Sequence, residues 1–145
     1  MPAPTGKQWV RLYRGLANTA PENVDTRGIG PHWTTDAGVA YNFATNRDVE
    51  GYPLGDSDSE FEGLPAEGTV VEALIHRRHI VDPESKEGQH WQNWSGVLGP
   101  EHPEQEKTIR GQATVHIQRM HWVNDDTNED RMVEFPRGLR SRGRA

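Results

Sequence analysis

The stretch TVVEALIHRRHIVD, residues 69–82, sets the terms on which this chain can fold. Its β-branched and aliphatic residues lie between Gly68 and Pro83, which makes it the clearest core strand of the chain. A core strand needs partners, and the other segments are short. With 15 glycines and 10 prolines in 145 residues, and 32% hydrophobic residues, the composition favours brief elements joined by many loops. One compact domain with a single core is expected.

KQWVRLYRGL (7–16) alternates, with Val10, Leu12 and Arg14 on one side of a strand and Trp9, Arg11 and Tyr13 on the other. Gly15 is expected to release the backbone, and 17–31 reads as a turn-rich connection. HWTTDAGVAYNFAT (32–45) reads as a short strand running into a helix. Thr35 or Asp36 can cap that helix, and Val39, Ala40, Phe43 and Ala44 share one stripe. Residues 47–68 and 83–103 form two long loops, the first acidic, the second carrying Trp91 and Trp94. EKTI and ATVHIQRMHWV are strand-like runs separated by Arg110-Gly111-Gln112, which predicts a hairpin or a bulged strand. The class is α+β, with a domain over 1–124. After Val123 the composition turns acidic, then allows a last strand at RMVEFP, then turns basic. Residues 125–145 are therefore expected to be a partly disordered C-terminal extension.

The net charge of −6 argues against general nucleic-acid binding, which needs a basic surface. An anionic ligand in one local basic pocket is compatible with it. The basic segment with Arg137, Arg140, Arg142 and Arg144 is the place where nucleic acid or an acidic partner could touch. The chain has no cysteine, so neither a disulfide framework nor a thiolate nucleophile is available. The seven histidines do not form a metal motif: His76 and His79 are expected on opposite sides of a strand, and His116 and His121 are scattered. RGIGP (27–31) lacks the strand–loop–helix setting of a phosphate loop. No apolar run suits a membrane span, and the start, MPAPTGKQWV, lacks an export signal's apolar stretch. A cytoplasmic protein of a bacterium, or of a phage-infected host cell, is the compatible expectation.

EQEKTI places Glu104 and Glu106 two apart at the mouth of a strand, so alternation points both at one face. Like charges that close either sit in open solvent or have a task. In chain order, an arginine ends the first strand (LYRGL), a hydroxyl pair leads into the helix (HWTTDAGVAYNFA), and the Glu-x-Glu opens a late strand. Over residues 9–119 this order resembles the Arg, Ser-Thr-Ser, Glu-x-Glu pattern of the mono-ADP-ribosyltransferases with a cholera-toxin-like site. Where that pattern has its first serine this chain has Trp33 or His32, followed by Thr34 and Thr35.

The resemblance implies two small, packed, mainly antiparallel sheets with few short helices. It implies NAD as a substrate and a target protein as acceptor. Arg14 then grips the NAD pyrophosphate through its fork of donors, with Tyr13, Gly15, Trp33 and Phe43 beside the dinucleotide. Thr34 and Thr35 brace the glutamate. Glu106 stabilises the cationic sugar, and Glu104 orients or deprotonates the incoming group. The Glu-x-Glu form goes with arginine as acceptor, and Trp91 and Trp94 lie in the target-recognition loop. No metal is required. Two further readings stay open here: an NAD glycohydrolase using water as acceptor, and an inactive fold of this type that only binds a nucleotide or protein, which Trp33 favours. A more distant one is an acidic partner-mimic. Glu129 or Glu134 in EDRMVEFPRG is the rival acidic motif.

Overall fold

In a computed structural model, which describes residues 6–30, 32–48, 50–52, 64–81 and 106–143, the apolar run becomes the central strand of a sheet. The strands are β1 (Trp9–Ala17), β2 (His32–Thr34), β3 (Glu67–His76), β4 (Glu106–Thr108), β5 (Thr114–Asn124) and β6 (Glu129–Arg142). They form one antiparallel sheet in the order β4-β2-β1-β3-β5-β6. Among the described residues, one α-helix, α1 (Ala37–Ala44), and two 3-10 turns, Pro21–Asn23 and Arg77–His79, complete the regular structure. The α+β class holds for the described residues. No described helix is long and apolar enough to cross a membrane.

The described strands make one sheet where two were expected. The arm carrying β2 and β4 stays joined to β1 at Tyr13 and Thr34. It also turns back over the core: Ile109, just past β4, bridges Ile80, just past β3. The Val81 amide donates to the Thr108 carbonyl and the Arg110 amide to that of His79. Trp33 and Ile109 thereby join the cluster of Leu12, Val71, Ala73, Ile75, Val115, Ile117 and Met120. Curling lets one sheet enclose its own core, because the face bearing Leu12 must be covered and the helix α1 lies on the other face. The same curl replaces the expected hairpin. β4 and β5 do not pair, and residues 109–113 carry the chain from the β2 side to the β3 side.

Helix α1 lies on the opposite face, over Val70 and the ends of β1 and β3. Its N-cap is Asp36, whose carboxylate accepts from the Gly38 amide; Val39, Ala40 and Ala44 are buried. Gly15 does not release the strand. It stays in β1, and its missing side chain admits the helix: a Cβ there would stand 1.9 Å from the Ala40 carbonyl oxygen, and one on Gly68 2.0 Å from that of Ala44.

Residues 129–142, which include the expected last strand RMVEFP, form strand β6; it pairs with β5 on either side of residues 135–138 and packs Phe135 and Leu139 on the core. A bulge between Ile117 and Arg119 adjusts the register. The sequence 77–79 is a turn, so the His76 and His79 rings approach to 6.5 Å rather than facing apart. No three metal-binding side chains cluster among the described residues.

Candidate functional site

Three neighbouring strands bring the singled-out positions together. Tyr13, adjacent to Arg14 on β1, is the register partner of Thr34 on β2, and Thr34 is the partner of Glu106 on β4. β1 and β2 share only that register pair, and where they part the sheet leaves a cleft of about 140 Å³. Its walls are Tyr13, Arg14 and Gly15 from β1, His32, Trp33 and Thr34 from β2, and Phe43 from α1. An apolar cavity of roughly this size holds a benzene-sized ring, whereas whole-ligand pockets run to about 300–1,000 Å³. The cleft thus suits one ring or ribose of a larger ligand.

Arg14 is half-buried on the same strand face as Val10 and Leu12. Its Nη1 donates to the His32 carbonyl at 2.5 Å. Gly30 packs against the guanidinium: a Cβ on Gly30, whose φ is +111°, would lie 2.9 Å from Cζ. Only glycine combines that backbone with that approach. The Gly30 carbonyl accepts from the Trp33 indole at 2.9 Å, and the Gly30 amide donates to the Gly143 carbonyl. The arginine is therefore set in a braced frame, and a permanent cation stands in a half-buried cleft of an acidic chain.

Trp33 is 1% exposed, so it lines the cleft as part of the core. Thr34 is buried, and its hydroxyl accepts from the Asp36 amide at 3.1 Å, tying β2 to the helix cap. Thr35 is exposed and does not line the cleft. Glu106 enters through its backbone register alone. Glu104, Trp91 and Trp94 lie outside the described residues. The rival glutamates are on β6: Glu134 opposite Arg119 and Glu129 opposite Asn124, separated from β1 by β3 and β5.

Sequence reasoning missed two parts of the frame. His32 is a wall of the cleft, and Gly30 is the contact that seats Arg14. RGIGP was the available signal for the second, since a glycine before a proline marks an unusual backbone. Missed too was a network behind the helix. Tyr41 donates to Asp125, which also pairs with Arg47 at 2.7 Å. Burial pushes the Asp125 carboxyl up, but the hydrogen bonds from Tyr41 and Arg47 outweigh it and hold it below its ordinary value. Burial and the Asp125 hydrogen bond raise the Tyr41 phenol. The network pins α1 to the turn after β5, and with it Phe43.

Comparison of this chain with protein-family models, with curated proteins and with solved structures returns no match.

Proposed function

We propose that the chain is an NAD-dependent mono-ADP-ribosyltransferase that moves ADP-ribose to a protein side chain, arginine by the Glu-x-Glu form, and releases nicotinamide. What supports this reading is that Arg14 and Thr34 line one cleft sized for one ring, and that Thr34 is the register partner of Glu106 on β4.

The chemistry follows from what each group can do. Arg14 binds the pyrophosphate bidentately and orients the dinucleotide. Phe43 and Tyr13 give the nicotinamide an apolar wall. As the bond between nicotinamide nitrogen and ribose C1′ breaks, its electron pair leaves with nicotinamide and positive charge spreads over the ribose. The Glu106 carboxylate stabilises that charge as it develops, a contribution of about 3–4 kcal/mol for one preorganised partner. Glu104 takes the proton of the attacking guanidinium nitrogen as the new bond forms at C1′.

The test is incubation of the purified chain with NAD labelled in its adenylate half and a bacterial lysate, reading labelled protein and free nicotinamide. Labelled protein with equal nicotinamide release is the expected result. Nicotinamide with free ADP-ribose and no labelled protein would instead make it a glycohydrolase. NAD binding by calorimetry without release would make it a binding module, and no NAD binding would end the reading altogether.

A further inference from the structure

The arginines near the C-terminal end occupy fixed places on the sheet. On β6, Arg140 is the register partner of His116, and Arg142 of Thr114. His116 pairs in turn with Leu74 of β3, and Leu74 with Arg11 of β1. Direct partners in an antiparallel ladder share a face, so Arg11, Leu74, His116 and Arg140 form one row across four strands. A step along the strands, Trp9 stands opposite His76. The His76 and His116 rings meet Trp9 edge-on, with centroids 5.2 and 5.0 Å away.

At the β6 end of this row lies a groove of about 620 Å³, lined by Thr26, Arg27, Thr114, Arg140, Ser141 and Arg142. Arg27, Arg140 and Arg142 are exposed. Asp25 approaches Arg27 at 3.6 Å, but among the described residues no carboxylate pairs with Arg140 or Arg142. In a chain of net charge −6, two neighbouring cations with no acidic partner among the described residues, next to a cluster of rings, call for an anionic and aromatic occupant.

We infer that this face binds single-stranded nucleic acid, with the Arg140 and Arg142 guanidinium groups on successive phosphates and the bases against Trp9, His76 and His116. Two residues apart on a strand, the arginines are spaced by about 6.8 Å, close to the step between phosphates of a nucleotide chain. Their forks match phosphate oxygens, and the rings offer the sequence-tolerant stacking surface that single strands use. Burial and the neighbouring Arg140 lower the His116 pKa, which keeps that ring neutral at pH 7. An acidic peptide would satisfy the arginines but leave the rings unused. The inference does not depend on the NAD reading, since none of these side chains lines the Arg14 cleft.

The test is fluorescence anisotropy of a labelled single-stranded oligonucleotide of about 12 nucleotides, titrated with the full chain over a range of salt. Arg140→Ala/Arg142→Ala should weaken binding at least about tenfold at low salt. It should also flatten the log–log salt slope by about 1.4, two phosphates at about 0.7 each. Arg140→Lys/Arg142→Lys should keep the slope, and Trp9→Leu should weaken binding at unchanged slope. Circular dichroism melts establish that each variant is folded. The inference is overturned if the wild-type chain does not bind, if the double alanine variant binds like wild type, or if heparin or a duplex of the same sequence binds as tightly as the single strand.

Discussion

The two halves of the sheet are built differently. From β1 through β3 and β5 to β6 the strands pair over long stretches, and Trp9–Ala17 matches Gly68–His76 without a gap. From β1 through β2 to β4 the pairing is sparse: one register pair, then strands of three residues. A fully paired ladder satisfies its backbone groups and leaves no room between strands. A parted pair of strands leaves a cleft whose walls are held by the ladder beside it. The long half is the frame against which the Arg14 cleft opens.

That contrast can be broken by four substitutions. The largest effect is expected from Glu106→Gln on the short half. Nicotinamide release should fall by two to three decades, about 3–4 kcal/mol of barrier, with the melting temperature unchanged. Release at the wild-type rate would leave this half without the reaction assigned to it. On the long half Gly68→Ala drives a Cβ into the Ala44 carbonyl, and overpacking of this kind costs about 2–3 kcal/mol. Urea titration should show the lower midpoint; an unchanged midpoint would mean that α1 does not lean on the ladder.

Arg14→Lys keeps the charge and loses the fork. The KM for NAD should rise about tenfold, or about 1.4 kcal/mol, with kcat and stability little changed. A fall in stability instead would make Arg14 a part of the scaffold. The smallest effect belongs to the network that pins α1 to the turn after β5. Asp125→Asn removes the partner of Tyr41 and Arg47 and should cost about 1 kcal/mol at neutral pH. Because the folded carboxyl is held below its ordinary value, its stabilisation is present above the unfolded value and is lost as pH falls through the folded one. Melts of wild type and variant should therefore converge in acid, and a gap that persists there would assign the effect to packing.

Much of the local structure was legible. The β-branched run became the central strand, the Asp36 cap and the Val39-Ala40-Ala44 stripe became α1, and the Tyr13-Arg14-Gly15, Trp33-Thr34 and Phe43 positions meet at one cleft. What escaped was long-range. Arg110-Gly111-Gln112 reads as a hairpin turn because a tight turn between two apolar runs usually is one; nothing local says that β4 will prefer β2. The basic composition of 137–144 hid a strand, because Leu139 and the pairing with β5 outweigh the charges beside them. The glycines that seat Arg14 and α1 are silent in sequence, since what they accommodate arrives from elsewhere in the chain.

Alternation and capping by themselves determined which segments could be strands and where a helix starts. These depend on neighbours within a few residues. Only the tertiary structure decided that the sheet curls over itself, that β1 and β2 part beside Arg14, and that Arg140 stands in one row with His116 and Arg11. Those outcomes come from burying one shared apolar face, and a shared face belongs to all the strands at once.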